Sequence, residues 1–297
     1  MAILETGSSD QGVTGRVVVG KNALWPGGKR VAVVFNVAFE AWSDGKAPGI
    51  SPMGNPLPAV PGIVDSMAIS WAAYGARRGI YRLLEAFARH GIHASVMTNA
   101  VLAERSPEAV RAVGDGGHEV VSHSYAMDVM PVLMSVEQER ANIERCTGLL
   151  ARASGASVKG WISPRGTPSP HTARLLAEAD YLWYGDVFDD DLPYIQSFGK
   201  SRIVALPLST DVNDMPSMKY GNPPRAMLAT FEEHLERVMK HERGPVIIDA
   251  TVHAHIFGRP HGAHYYERIM EIAARTPEAW VATRREIAAH VLAACQT

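Results

Sequence analysis

GIYRLLEAFARHGIHASVMT, residues 79–98, sets the fold class. Ile80, Leu83, Leu84, Phe87 and Ala88 recur at the spacing that puts them on one stripe of an α-helix. Gly91 stops that helix, because glycine alone enters the left-handed cap conformation without strain. The next residues, IHASVMT (92–98), form an apolar, β-branched run that reads as a buried strand. A helix returning at once into a buried strand is half of a βα repeat, and such repeats build parallel sheets.

The same alternation continues on both sides. VAVVFNV (31–37) predicts the first buried strand. Ser106, with Pro107 behind it, predicts a helix start, and HEVVS (118–122) a strand. Ser135 and Gln138 are spaced as a capping box. VKGWIS (158–163), YLWYGD (181–186), RIVALPL (202–208) and PVIIDATV (245–252) predict further strands, with helices over 225–241 and 263–275. Seven or eight units of this kind predict an α/β chain folded as a distorted (β/α)7–8 barrel, one domain over 1–297. No glycine-rich phosphate loop follows the first strand, which weighs against a nucleotide-binding sheet. The Pro- and Gly-rich segment 41–78 is too long for a simple connection, and is expected to cap the barrel mouth.

Composition narrows the function classes. The chain has 297 residues, is 46% hydrophobic and carries a formal charge of −2, with no long run of one sign. Nothing in that balance suits nucleic acid or an anionic membrane surface. No stretch approaches a bilayer span, and the first twenty residues lack the basic start and apolar run of a signal peptide. Two cysteines, Cys146 and Cys295, make no disulfide framework. The expectation is a cytoplasmic protein acting on a small molecule.

In a barrel, side chains at the C-terminal strand ends converge on one face. Those positions carry Asn36, Glu40, Thr98, Asn99, His123, Arg165, Asp186, Asp189 to Asp191 and His253. TVHAHIFGRPHGAHYYE (251–267) alone holds four of the twelve histidines. Of these, His253 directly follows a buried strand and needs a partner or a task. His261 and His264 read as a loop and a helix start. A rim of His, Asp, Glu and Arg suits hydrolysis of a polar carbonyl compound, which needs a base for water, an oxyanion stabiliser and an acid for the leaving nitrogen.

At these residues the chain resembles the polysaccharide deacetylase, or NodB-type, superfamily, and within it the branch of metal-independent allantoinases and cyclic imide hydrolases. The resemblance rests on NVAFE, YGARRGIYRLLEAFARHGI, GHEVVSHSYAM, KGWISPRG, GDVFDDDLPY, LPLSTDVNDMP and VHAHIFGRPHG, and covers nearly the whole chain. It implies hydrolysis of non-peptide C–N bonds. Deacetylases of the family bind zinc through an HxxxH motif, and here His123 is followed at that spacing by Met127. Their aspartate pair after the first strand is represented by the stretch Asn36 to Glu40, and the arginine of their third motif by Ile162. Thioether and amide are poor zinc donors.

The resulting expectation is an amidohydrolase that opens a small cyclic amide, imide or ureide without a cofactor, zinc being the alternative. His123 and His253 would move protons, and Glu40 would act on water. Asn36, Arg77, Arg165, Asp186, Asp190 and His255 would hold the substrate. A homodimer or homotetramer is implied by the resemblance. A carbohydrate N-deacetylase with an altered metal site and a non-catalytic binding barrel are the rival readings.

Overall fold

The computed structural model describes residues 3–5, 15–18, 25–50 and 62–294. Twelve strands are found among them. These are β1 (Ile3–Glu5), β2 (Gly15–Val18), β3 (Val31–Phe39), β4 (Ser95–Thr98), β5 (Glu119–Ser122), β6 (Gly160–Trp161), β7 (Trp183–Tyr184), β8 (Tyr194–Phe198), β9 (Ser201–Ala205), β10 (Val212–Asn213), β11 (Val246–His253) and β12 (Ala279–Val281). The helices are α1 (Ser66–Tyr74), α2 (Ile80–His90), α3 (Val101–Arg105), α4 (Pro107–Asp115), α5 (Val136–Ser154), α6 (Thr172–Glu178), α7 (Asp214–Lys219), α8 (Pro224–His241), α9 (Pro260–Arg275) and α10 (Arg284–Ala294).

All strands lie in one sheet, in the order β1-β2-β8-β9-β7-β6-β5-β4-β3-β11-β10, with β12 also paired to β3. From β9 through β10 the pairings are parallel. β3 is the centre: β11 pairs along nearly all of it, while β12 takes Val31–Val33 and β4 takes Asn36–Phe39 on its other edge. Sequence expectation and structure agree on the parallel core. They differ over Tyr194–Phe198, an antiparallel strand hairpinned onto β9, whose loop-like DDDLP lead hid it. The strands expected over 158–163 and 181–186 shrink to two residues each, because the chain turns away once its side chains reach the mouth.

Parity along β3 explains the packing. Val31, Val33, Phe35, Val37 and Phe39 face the helices, where Phe35 meets Phe87 and Tyr266 edge-on. Ala32, Val34 and Ala38 belong to the inner cluster with Met97, Val121, Trp183 and Leu206. Successive side chains alternate between faces, so Asn36 and Glu40 share the inner side with these residues, one turned deep and one at the top. In β11, Ile248, Ala250 and Val252 face the helices, leaving Asp249, Thr251 and His253 inward. The capping box of α5 forms as expected, with Ser135 and Gln138 bonding reciprocally. Ser106 differs: its side chain makes no cap bond at α4, and its backbone carbonyl accepts from Ala109 instead.

Among the described residues no pairing joins β9 to β10, so the strand circuit stays open there. A side chain spans that region. Arg284, at the start of α10, is wholly buried; its Nη2 lies 2.5 Å from Asp249 Oδ1. Its Nε donates to Asn36 Oδ1 at 3.1 Å, and its Nη1 to the Leu206 and Pro207 carbonyls just past β9. Ser209 N donates to Asp249 Oδ2, closing the link from β9 to β11. Removing one partner of a buried ion pair strands the other charge away from water. Arg284→Ala is therefore expected to cost about 3–5 kcal/mol in urea unfolding, whereas Arg89→Ala, which breaks a surface pair with Glu267, should cost less than about 1 kcal/mol.

Candidate functional site

The mouth is built around one carboxylate. Glu40 is the first residue beyond β3, and the inward parity of that strand buries it to 7% exposure. Three imidazoles surround it. His123 Nε2 lies 3.8 Å and His253 Nε2 3.6 Å from Oε1, and His255 Nδ1 lies 4.0 Å from Oε2.

His123 follows β5, and its Nδ1 is 2.6 Å from the Ile162 carbonyl. A carbonyl only accepts, so Nδ1 carries a hydrogen and Nε2 is the ring nitrogen directed at Glu40. Its backbone is fixed as well: Asn99 Nδ2 donates to the His123 carbonyl, and Asn99 Oδ1 accepts from Ala41 N. Ser124, the next residue, sits at φ 58, a left-handed backbone that non-glycine residues adopt uncommonly.

His253 ends β11, and a residue not singled out from the sequence holds it. Asp214, fully buried at the start of α7, accepts from His253 Nδ1 at 2.6 Å, from His253 N at 2.8 Å and from Phe257 N at 3.2 Å. The readable signal was Asn213, whose side chain caps α7, with an acidic residue immediately behind it. Neighbouring strands β10 and β11 then bring Asp214 beside His253.

Burial by itself disfavours charge on both Glu40 and His253, but their mutual attraction overrides it. Against the effect of burial, the charges of Glu40 and Asp214 and the Asp214 bond lift His253 to about 9. Likewise, the charge of His253 and the neighbouring imidazoles of His123 and His255 bring Glu40 down to about 2. At neutral pH the site therefore holds a carboxylate facing an imidazolium. His255 differs. It is fully buried, neither ring nitrogen has a hydrogen-bond partner, and burial pushes it down to about 4, so it is neutral. Trp71 packs perpendicular to its ring at 4.6 Å, and Trp42 at 5.9 Å.

Asp186, after β7, accepts from Ser163 N at 2.7 Å and Ser163 Oγ at 2.6 Å, beside His123. Burial pushes it up to about 6 despite those bonds. Glu40, His123, His253 and His255 thus converge, with Asp186 behind His123. The remaining expected substrate contacts do not join them. Asn36 lies deep in the barrel, its amide committed to Asp249, Thr251 and Arg284, four residues of strand below Glu40. Asp190 accepts from Leu192 N and shapes the β7–β8 loop. Arg165 is exposed on the rim in a left-handed turn at φ 57. Arg77 is exposed in a π-helical turn, Gly75–Gly79, and makes no contact with His253.

The 41–78 segment does reach the mouth at both ends. Ala41 and Ser43 are bonded to Met127 and Asp128, and Trp42 and Trp71 close on His255. Its middle, 51–61, lies outside the described residues. Behind Trp71 the backbones pack directly: a Cβ on Gly79 would fall 1.9 Å from the Ala254 carbonyl oxygen, so only glycine fits.

The zinc ligands of the resembling deacetylases do not fit here. Met127 occupies the second histidine position as a buried thioether, and Asn36 has no free donor. Among the described residues, no three His, Cys, Asp or Glu side chains stand so as to hold a metal ion. No helix among them is long and apolar enough to cross a membrane.

Comparison with known proteins agrees with the fold. The polysaccharide deacetylase family model matches residues 73–183, from the end of α1 to the start of β7. Over that stretch the chain is similar to polysaccharide deacetylases. A Pseudomonas aeruginosa protein described as a polysaccharide deacetylase is 28% identical with TM-score 0.81, covering 90% of this chain and 92% of that one. A Puue allantoinase is 27% identical with TM-score 0.81, covering 91% and 92%. A Schizosaccharomyces pombe protein described as a polysaccharide deacetylase is 25% identical, over 89% of this chain and 91% of its own length.

The linkage has a definite sign. His253, raised from 6.5 to about 9, contributes stability that is fully present below 6.5 and lost as pH rises through about 9. Glu40, lowered from 4.5 to about 2, contributes stability present above 4.5 and lost as pH falls through about 2. Asp214→Asn removes one of the two charges that lift His253. In an NMR titration its imidazole is then expected to lose its proton about one pH unit or more below the wild type. An unchanged titration would assign the whole effect to Glu40.

Proposed function

We propose that this protein hydrolyses a non-peptide C–N bond in a small cyclic amide, imide or ureide, using side chains rather than a metal to move protons. The observation that carries the reading is the convergence of His123 Nε2 and His253 Nε2 on one oxygen of Glu40, with Asp214 behind His253. In this scheme water lies among the three groups. The His123 lone pair takes its proton as the oxygen bonds to the carbonyl carbon. Imidazolium His253 offsets the charge developing on the carbonyl oxygen, then gives its Nε2 proton to the nitrogen as the C–N bond breaks. Glu40, held near 2, is too weak a base to keep a proton; it orients the water and keeps His253 charged. Asp214 fixes the tautomer and orientation of His253.

Enclosure supports a small substrate: Glu40, His123 and His253 are all under 10% exposed, and Trp42 and Trp71 wall one side. The allantoinase neighbour agrees with a cyclic ureide. The relatives described as polysaccharide deacetylases favour a second reading, removal of an acetyl group from an amino sugar, which needs the same acid–base pair.

A screen of hydantoins, imides, ureides and N-acetyl sugars separates the two. His253→Ala and His123→Ala are each expected to lower turnover by a factor of about 10² or more, and Met127→Ala to act mainly on stability. The rate should fall on the alkaline side as His253 loses its proton near about 9. Stoichiometric zinc in the purified protein, with activity abolished by chelation and restored by zinc, would refute the side-chain mechanism.

A further inference from the structure

A groove of about 550 Å³ opens on the far side of Trp71 from His255, lined by Tyr74, Arg77, Arg78, Arg259 and the α1 residues Met67, Ser70 and Trp71. Its volume falls in the range of small-molecule sites. Its charge is one-sided: three guanidinium groups line it and no carboxylate does. Arg77 and Arg78 are exposed and make no hydrogen bond or ion pair among the described residues. Three like charges along one groove repel each other, and an anion relieves that repulsion.

Part of the groove is held rigid. Arg259 Nε donates to the His255 carbonyl at 3.1 Å, and its guanidinium lies 4.1 Å from the Tyr74 ring centroid. Tyr74 is fixed in turn, because Arg82 Nη1 donates to its hydroxyl at 2.8 Å while also reaching the Gly258 carbonyl. Arg259 thus spends one donor on the protein and keeps its forked pair of Nη groups, the geometry that pairs with two oxygens of a carboxylate or phosphate. Tyr74 and Trp71 supply aromatic surface beside it. The groove does not open into the catalytic pocket, because Trp71 stands between it and His255, which has no exposed surface.

We infer that this groove is a second ligand site, separate from the Glu40 centre, which takes a small planar molecule bearing an oxyanion, either carboxylate or phosphate. Isothermal titration of the whole protein with benzoate, phenyl phosphate and inorganic phosphate tests it. At least one organic probe should bind at about one per chain with Kd near or below about 1 mM. Arg77→Ala/Arg78→Ala should weaken binding about tenfold or more, the scale of one lost charge-assisted contact. Arg202→Ala, in a different basic groove at the opposite end of the sheet, should leave it unchanged. Benzoate and phenyl phosphate binding alike would mark a general oxyanion site; phenyl phosphate alone would mark a phosphate site. His253→Ala should retain binding, which separates this inference from the catalytic proposal.

Three results would overturn it: no binding of any probe at about 10 mM, equal weakening in Arg202→Ala, or loss of binding in His253→Ala. So would light scattering showing an assembly that Arg77→Ala/Arg78→Ala dissociates while no probe binds. In that case this face, with the exposed Ile63, Val64 and Met67 beside it, would be a contact between copies of the chain.

Discussion

A carboxylate out of reach of water must have its lone pairs matched, and four of the buried carboxylates here link the sheet to the mouth. Glu119, at the base of β5, accepts from Ser95 Oγ, Trp183 Nε1 and Arg285 N, tying β4, β7 and α10 together. Asp249, midway up β11, binds Arg284, Asn36 and Ser209. Asp214, at the top, binds three donors from His253 and Phe257. Glu40 is matched by imidazoles rather than by backbone. An unmatched buried charge costs several kcal/mol, so each carboxylate specifies which elements must meet around it.

This requirement links the barrel's integrity to its chemistry. The sheet lacks a β9–β10 rung, and Arg284 with Asp249 spans the break. The chain leaving that break, 206–213, delivers Asn213 and Asp214 to the start of α7. Asp214 then holds His253, and His253 holds Glu40 ionised. Stability in the interior and charge in the mouth belong to one connected network, so substitutions deep in the barrel are coupled to the proton-carrying groups above.

Much of the mouth was readable before any coordinates. Glu40 and His253 are both legible from their places at strand ends. The direction of Glu40 is decided by the structure, where period-two parity in 31–39 and 246–253 brings both inward. His123 followed from its place just past a short buried strand. What escaped was depth: Asn36 shares Glu40's parity but sits four residues lower, among polar partners of its own. Asp190 escaped because a carboxylate that caps its own turn and one that faces a ligand have the same letter and the same neighbours. Asp214 escaped because its partner lies 39 residues away, across a strand pairing.

The sequence by itself determined the βα alternation and the buried central strand, and its resemblance to the deacetylases marked the missing zinc donors at Asn36 and Met127. These rest on local periodicity and on the donor chemistry of single side chains. Only the tertiary structure decided that Arg284 spans the open edge of the barrel, that Asp214 sets the charge on His253, and that His255 is sealed between two tryptophans. The same packing turned Arg77 away from the mouth into a groove with Arg78 and Arg259. Each of these depends on pairs far apart in the chain, whose distances and burial are fixed by how the strands and helices pack, and no local pattern encodes them.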